Sequence, residues 1–502
     1  MKSRYIKYLF ATGLITVSTY MSCNKSELEI NPPLVTEASY FTTSSEFRTA
    51  VMGAYSTLTD YYGTFEGNAA LQVFFLPGDD LTADGSNVYD IFTNLNAGEG
   101  RLSDVFSRSY VLLNRTNKVL TQLEKAPDGV LTAEQKNSMT GEMLFLRGYA
   151  HYILWNVFET APIMNAEITS VSGGGPSSTT GTQLLDQAIA DFAAAAPLLP
   201  ASWTGAELGR ATANSANGML GKALVFKGTI TDANGDYAAA LTAFNKITDR
   251  SLVANYGDNF AHTKENNAES VFEYQAGYNR NGPGETNIWL ANDACACGVA
   301  GFFLGMYVEM GATYMGGGRY FATPKLNTAM TGDPRRAYTL NTAGDRITKY
   351  SLINQFDGGG GITVNNYRIL RYADVLLLKA EALVKSGGST TEAIGFINDV
   401  RTRARNMGGG ALPANYSTSE TNRTTIMQWI MNERFIELAA EGQRWFDLRR
   451  WAKGGDITLN NAFFDSRNST QMGFVAPKHL DFPIPTSETS KNPNITPNPN
   501  YQ

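Results

Sequence analysis

Residues 432–451 read NERFIELAAEGQRWFDLRRW, a stretch in which charged residues recur at helical spacing. Charges of alternating sign stand three residues apart at Glu441, Arg444, Asp447 and Arg450. Residues three or four apart are neighbours on one face of an α-helix, so opposite charges at this spacing form ion pairs. The pattern predicts one long helix over residues 422–452 with a ladder of ion pairs on its surface.

The same stretch contains candidate catalytic carboxylates. Glu433, Glu437 and Glu441 recur every four residues, and a glycosidase needs two such groups. A general acid also needs a desolvated cleft that raises its pKa, and helical spacing alone does not indicate one. We therefore interpret these glutamates as ion-paired helix residues and predict no catalytic residue.

Apolar residues at helical spacing predict helices through most of the chain. The predicted ranges are 46–58, 103–125, 133–158, 181–196, 212–230, 236–248, 367–386 and 390–405. In the pairs 212–248 and 367–405, small alanines face bulky apolar residues, as in tetratricopeptide-like repeats. Charged residues of the later pair are interpreted as a solvated or ion-paired face: Arg371, Asp374 and Lys379. The sequence therefore predicts an all-α fold with tetratricopeptide-like helix pairs.

Residues from about 250 to 365 do not follow this pattern, because glycine clusters such as Gly316–Gly318 and Gly358–Gly361 interrupt it. The region also carries many aromatic residues, which argues against disorder. Long loops usually mean function or disorder, so we predict a large irregular, loop-rich region that is ordered. The proline-rich residues 482–501 are predicted to lie extended on the folded body.

Composition excludes several classes of function. The chain has 502 residues, 43% of them hydrophobic and 18% charged, with a formal net charge of -6. These values indicate a globular protein without the basic surface that nucleic acid requires. The three histidines, His151, His262 and His479, argue against a catalytic triad or a multi-histidine metal site. We predict no metal, no cofactor and no enzymatic activity.

The N-terminus resembles an export signal. Basic residues and a short apolar run over residues 8–20 precede Cys23, as in a bacterial lipoprotein signal. An ordinary signal peptide with an incidental cysteine is the alternative. For Cys295 and Cys297, a local disulfide and two packed thiols both remain open. The predicted divisions are a signal peptide (1–22), a tether lipidated at Cys23 (23–38) and one domain (39–502).

Several stretches, in order, resemble the SusD/RagB family of Bacteroidetes nutrient-binding outer-membrane lipoproteins. They are Ser39–Phe41 with Gly53–Tyr55, LRGYAHYILWNVFETAPI at 146–163, RYADVLLLKAEAL at 371–383, INDVRTRA at 397–404, the stretch 432–451, and IPTSETSKNPNITPNPNY at 484–501. The segment ending in DLRRW is the most specific of these. Glu159, where the family often has glycine, and Pro497, where it often has glutamine, depart from the pattern only in loop and tail positions.

The resemblance implies a SusD-like domain, lipid-anchored in the outer membrane and facing the cell exterior. It further implies a nutrient ligand, most simply an oligo- or polysaccharide, and a SusC-like TonB-dependent transporter as partner. An exported α-helical glycoside hydrolase or lyase is the alternative, and turnover of oligosaccharide would distinguish it. A helical scaffold that binds only protein would show no saccharide affinity.

We place the predicted ligand site between residues 76–96 and residues 286–321, which are rich in aromatic residues and poor in helical pattern. Sugars lay their CH faces on aromatic rings and pair their hydroxyls with polar groups. The candidate rings are Trp289, Tyr314, Tyr320, Tyr89 and Phe92. The candidate polar contacts are Asp79, Asp80, Asn94 and Arg319. Trp289 is the first choice as a stacking platform, and the alternative for each ring is that it only holds its loop in place.

Overall fold

The computed structural model describes residues 40–62, 71–83, 87–168, 175–276, 320–350, 365–464 and 472–501. The predicted signal peptide and tether, with Cys23, and the pair Cys295 and Cys297 lie outside these ranges.

The described chain is mainly helical. Its helices are α1 (Ser44–Tyr55), α2 (Thr59–Tyr62), α3 (Val88–Ile91), α4 (Gly100–Glu124), α5 (Ala133–Phe158), α6 (Gln183–Ala195), α7 (Ala213–Thr231), α8 (Asn234–Phe244), α9 (Pro324–Ala329), α10 (Arg336–Thr339), α11 (Tyr372–Lys385), α12 (Thr390–Gly408), α13 (Arg423–Glu437), α14 (Arg444–Lys453) and α15 (Thr486–Thr489). Four short strands accompany them: β1 (Leu81–Ala83), β2 (Ser270–Tyr274), β3 (Tyr320–Ala322) and β4 (Tyr367–Arg371).

The long helices pack in sequence order. Each of α4 to α7 contacts the next helix along the chain, α8 contacts α11, and α11 to α13 continue the succession. Each helix thus buries its apolar stripe between two neighbours, as in helical repeat proteins. The prediction of an all-α fold with packed helix pairs and loop-rich regions is confirmed.

Glycines allow the close packing of α7 and α8. A methyl group on Gly221 would overlap the ring of Phe244, and one on Gly228 would lie 3.0 Å from the ring of Tyr237. The two rings therefore fill the space above the glycines of the facing helix. The sequence predicted small residues opposite bulky ones, and in this pair glycine supplies the closest approach.

The predicted helix 422–452 is wrong in its middle, where the chain forms two helices, α13 and α14. Ala440 and Gly442 between them have φ angles of 57° and 66°, in the left-handed region that ends a right-handed helix. A Cβ on Gly442 would lie 2.6 Å from the Phe75 ring, so both the backbone angle and the contact require glycine. The prediction did not take this break into account.

The predicted helix 367–386 is wrong at its start, because residues 367–371 form β4. This strand pairs antiparallel with β2, with Ser270 opposite Arg371 and Tyr274 opposite Tyr367. All five residues of β4 are buried, so a short two-stranded sheet is enclosed within the helical body.

The C-terminal tail lies on the body, as predicted, with one short helix, α15. Phe482 stacks on Trp445 with ring centroids 5.7 Å apart, and its backbone N–H donates to the carbonyl of Val157 at 2.9 Å. The Thr486 N–H donates to the carbonyl of Ala97 at 2.9 Å. The tail thereby joins α5, α14 and the segment before α4.

Candidate functional site

Asp79 anchors the first predicted ligand segment to the C-terminal half. Its carboxylate is fully buried and accepts hydrogen bonds from the guanidinium of Arg444, one of them at 3.1 Å. It also pairs with the ammonium of Lys325. Burial alone would raise the pKa of the Asp79 carboxyl, but the charges of Arg444 and Lys325 outweigh it and lower the pKa to about 2. Asp79 is therefore a charged anchor at neutral pH.

Asp80 makes a different contact. Its carboxylate accepts the backbone N–H of Ala440 at 2.8 Å, which holds the left-handed residue between α13 and α14. Burial and the neighbouring Asp79 carboxylate raise the pKa of Asp80 to about 6. The Asp-Asp pair thus holds β1 against the break between the two C-terminal helices.

Strands β1 and β3 bring the two predicted ligand segments together. They pair antiparallel, with Leu81 opposite Ala322 and Ala83 opposite Tyr320. The Thr323 hydroxyl, at the start of α9, donates to the carbonyl of Asp79 at 2.8 Å and strengthens this junction. Residues 76–83 therefore lie beside the end of the segment 286–321, at an edge that we call the β1–β3 edge.

The rest of the first segment folds back on β1. The Asp90 carboxylate accepts from the Thr82 hydroxyl at 2.7 Å and from the Ala83 N–H at 3.0 Å. Asn87 caps α3 by accepting the Tyr89 N–H at 3.0 Å. These contacts fix residues 87–96 next to the β1–β3 edge.

The predicted site residues divide into three groups. Four of them are buried: Asp79, Asp80, Tyr89 and Phe92. Their contacts support the β1–β3 edge, and they do not line an exposed surface. Asn94 is exposed, with a φ angle of 64°. Tyr320 is placed by its backbone in β3. The remaining candidates lie outside the described residues: Trp289, Tyr314 and Arg319.

The burial of Tyr89 and Phe92 has a clear cause. Phe92 packs on Trp445, Phe464 and Phe474 with ring centroids 5.0–5.6 Å away, and Tyr89 lies 6.2 Å from Phe482. These rings therefore join the first segment to α14 and the C-terminal tail. The alternative role considered for them, holding the loop in place, describes their contacts.

Sequence reasoning missed Arg444 and Lys325 as partners of Asp79. Arg444 was expected to pair along its own helix, whereas its partner lies 365 residues earlier in the chain. Arg444 also lies over the ring of Phe435, with its Cζ 4.6 Å from the centroid. The spacing of residues along a helix does not indicate a contact between residues so far apart in sequence.

The glutamates of α13 and the following turn belong to a buried ion-pair network. Arg335 donates to Glu433 at 2.6 Å and to Glu437 at 2.7 Å. Arg371 donates to Glu441 at 2.7 and 2.9 Å. The prediction that these glutamates are ion-paired is confirmed. All three side chains are buried. The prediction of a surface ladder over Glu441, Arg444, Asp447 and Arg450 is wrong, because Glu441, Asp447 and Arg450 are buried.

Individual pairs also differ from the predicted ladder. Asp447 and Arg450 pair at 2.9 Å as expected, while Glu441 pairs with Lys349 at 2.8 Å and with Arg371. Burial would raise the pKa of Glu437, but Arg403, Arg371 and Arg335 hold it well below its ordinary value. A carboxyl with so low a pKa carries no proton at neutral pH, so Glu437 does not suit a general acid.

Among the residues that the structure describes, no helix is both long and apolar enough to cross a membrane.

Comparison with known proteins supports the sequence resemblance. The model described as the SusD family matches residues 318–501, and one described as starch-binding associating with outer membrane matches residues 79–224. SusD-like protein P2 of Formosa agariphila is 24% identical across 98% of this chain and 99% of its own. The chain belongs to the SusD/RagB family.

Two further SusD/RagB relatives connect this chain to proteins whose names include a ligand. The starch-binding protein SusD of Bacteroides thetaiotaomicron is 30% identical over 27% of this chain and 21% of its own. The solved structure of a laminarin-binding SusD-like protein covers 91% of this chain and 99% of its own, with a TM-score of 0.73 and 22% identity. The likeness to that structure confirms the SusD-like fold.

Proposed function

We propose that this chain binds a glycan at the cell surface and delivers it to a SusC-like TonB-dependent transporter in the outer membrane. Membership of the SusD/RagB family supports this function, as do a starch-binding relative and a laminarin-binding structural neighbour. The protein is proposed to act as a binding protein and not as an enzyme.

The observation that carries the proposal for the site is the pairing of β1 with β3. It joins residues 81–83 to residues 320–322. The adjacent Asp79 and Asp80 are buried and anchor this junction to the C-terminal half through Arg444 and Ala440. The exposed Asn94 is proposed to contact the glycan at this edge. The same is proposed for the aromatic rings of Trp289 and Tyr314, which precede Tyr320 in sequence. Aromatic faces and a few directed polar groups are the usual means of binding sugars.

A glycan array with the purified chain tests the function directly. Starch and laminarin belong on the array because relatives bind them, and neutral and charged plant, algal and animal glycans complete it. We expect retention of at least one glycan class. Absence of binding to every glycan would contradict the proposal and favour a scaffold that binds protein.

Incubation of the bound glycan with the chain separates binding from catalysis. A binding protein leaves the chain length of an oligosaccharide unchanged, whereas a hydrolase or lyase produces shorter products. Shortened products would favour the exported glycoside hydrolase or lyase, an alternative that the ion-paired state of Glu437 does not favour.

A further inference from the structure

A cavity lies between the loop before α7 and strand β2, formed by different elements from the β1–β3 edge. Its volume is about 180 Å³, below the range of about 300–1,000 Å³ typical of sites for drug-sized ligands. Such a cavity holds one small ring. Residues from Ser202 to Ser215, with Arg250, Asn266 and part of β2, form its walls.

A tryptophan forms one wall of this cavity. Trp203 is partly buried, and its indole N–H donates to the carbonyl of Ala211 at 2.8 Å. The guanidinium of Arg210 covers the ring, with its Cζ 4.0 Å from the centroid. Both contacts hold the indole in position, so it can serve as a rigid apolar wall.

Two of the charged side chains that line the cavity, Arg210 and Glu273, are already paired. Arg210 is neutralised by Glu142, to which its Nε donates at 2.8 Å, and by Glu207. Glu273 contacts Arg368 at 3.1 Å and accepts the backbone N–H of Asn266.

Arg250 is the exception among the charged groups of the lining. It is partly buried, its Nε is buried without an acceptor, and within the described part of the chain no carboxylate pairs with it. A buried donor without a partner costs free energy that a suitable ligand recovers. The lining therefore carries one positive charge with no counter-charge.

The remaining lining groups suit a hydroxylated anion. Ser202 and Ser270 provide hydroxyls, whereas the Asn266 amide is already paired with the Gln275 amide, to which it donates at 2.8 Å. Thr212 and Ser215 form the capping box of the 19-residue helix α7, and the Ser215 hydroxyl donates to the carbonyl of Val271 at 2.8 Å. Their contribution is therefore the dipole at this end of the helix, which favours negative charge. A ligand with both a carboxylate and hydroxyls would pair its carboxylate with Arg250 and its hydroxyls with Ser202 and Ser270.

We propose that this cavity binds a single sugar ring that bears a carboxylate, with the carboxylate on Arg250. A guanidinium binds a carboxylate through charge-assisted, often bidentate hydrogen bonds. A free uronic acid and a terminal uronate of an oligosaccharide share this chemistry, and the size of the cavity restricts a longer chain to its end residue.

Titration calorimetry with the full chain tests the proposal. The probes are D-glucuronate, a disaccharide ending in glucuronate, and D-glucose as a neutral ring of matched shape. We expect binding of the free uronate or of the disaccharide, and weaker binding of glucose by about tenfold or more. The two uronate probes distinguish a free acid from a chain end.

Arg250→Gln should weaken uronate binding by about tenfold or more, and Arg108→Gln serves as the matched control. Arg108 is an exposed arginine whose guanidinium lies 3.7 Å from the carboxylate of Asp60. Arg108→Gln therefore also removes one positive charge, but at a position outside the cavity. Leu208→Glu tests the site in the opposite way, because Leu208 is 48% exposed at the cavity and the new carboxylate should repel the ligand.

Melting temperatures of the variants show whether each still folds. If Arg250→Gln fails to fold, the Leu208→Glu titration decides the question. Equal binding of glucose and uronate, absence of uronate binding, or uronate affinity unchanged in Leu208→Glu or in a folded Arg250→Gln would overturn the proposal. In each case the glycan array would still test the proposed function, since the β1–β3 edge is built from other residues than this cavity.

Discussion

Asp79 and Asp80 are adjacent in sequence, yet their pKa values are shifted in opposite directions. Two cations hold the pKa of Asp79 at about 2, whereas burial and the neighbouring Asp79 carboxylate raise the pKa of Asp80 to about 6. Asp79 therefore stabilises the fold through its charge, and Asp80 stabilises it through the hydrogen bond from Ala440. Isosteric substitutions separate these two contributions.

Asp79→Asn should destabilise the protein at pH 7 by about 3–5 kcal/mol, because it leaves Arg444 and Lys325 without their counter-charge. Asp80→Asn is the matched control, since its amide oxygen can still accept the Ala440 N–H. We expect Asp80→Asn to be neutral or stabilising at pH 7. Urea unfolding midpoints measure both effects, and equal losses in the two variants would contradict the assignment.

The same pair of variants predicts the pH dependence. A raised pKa means that ionised Asp80 disfavours the folded state, so stability is lost as pH rises from about 4 to about 6 and Asp80→Asn removes that loss, roughly 3 kcal/mol at most. A lowered pKa means that Asp79 contributes its stability above pH 4 and loses it as pH falls toward 2. The advantage of Asp80→Asn should therefore shrink from pH 7 to pH 4, while the deficit of Asp79→Asn should stay constant.

Trp289 remains the predicted stacking platform for the glycan. Trp289→Ala should weaken glycan binding by about 1–3 kcal/mol, the range for bases stacked on aromatic rings, with little change in melting temperature. Trp429→Ala is the control, because Trp429 stacks on Tyr416 with ring centroids 4.2 Å apart. Normal glycan affinity, or loss of folding, in Trp289→Ala would show that the ring is structural.

Among the elements, the packing of α7 against α8 gives a test of the helix-pair architecture. Gly221 and Gly395 both lie within helices, but only Gly221 contacts a facing ring, that of Phe244. Gly221→Ala should destabilise by about 1–3 kcal/mol through overpacking. Gly395→Ala has no heavy atom within 4 Å of its new methyl group and should stabilise by about 0.5–1 kcal/mol through helix propensity.

Unfolding midpoints of the two glycine variants should therefore move in opposite directions. A stabilised Gly221→Ala protein would mean that α7 and α8 are further apart than described.

The helices were predictable from the sequence because apolar spacing reports local geometry. For α5, both the predicted and the observed range is 133–158. Charge spacing is less informative, because charged residues such as Glu433 and Glu437 recur at helical spacing whether they face water or a buried partner. In the buried network Arg335 donates to Glu437 at 2.7 Å and Arg371 pairs with Glu269 at 2.7 Å. These partners are distant in sequence, so the surface ladder was the wrong interpretation. Ala440, which has a positive φ, likewise donates its N–H to a residue that lies 360 positions earlier, Asp80.

At the scale of the whole molecule, residues distant in sequence assemble the candidate site. The sequence indicated residues 76–96 and 286–321, and the structure places the end of the second beside the first through β1 and β3. It did not indicate that Tyr89 and Phe92 point into the core, because an aromatic ring in a loop pattern fits a ligand and a hydrophobic core equally well. Their contacts with Trp445 and Phe482 are set by the C-terminal tail.

The lipid anchor is a prediction from the N-terminal sequence. Cys23→Ala should release the protein from membranes into the soluble fraction, because acyl chains supply about 0.8 kcal/mol for each buried CH₂ group. Cys297→Ala is a matched control that leaves the N-terminal cysteine in place. Membrane fractionation measures the difference, and unchanged fractionation of Cys23→Ala would contradict lipidation at this residue.

The transporter partner can be tested in the same cells. Detergent extraction at native expression, followed by affinity purification of this chain, should recover a large outer-membrane β-barrel of the TonB-dependent type. The Asp79→Asn variant shows whether the barrel recognises the folded body, since it weakens the anchor of the β1–β3 edge and keeps Cys23. If the wild-type chain recovers no barrel under mild detergent, delivery to a transporter is contradicted, and glycan binding on its own would remain as the function of the domain.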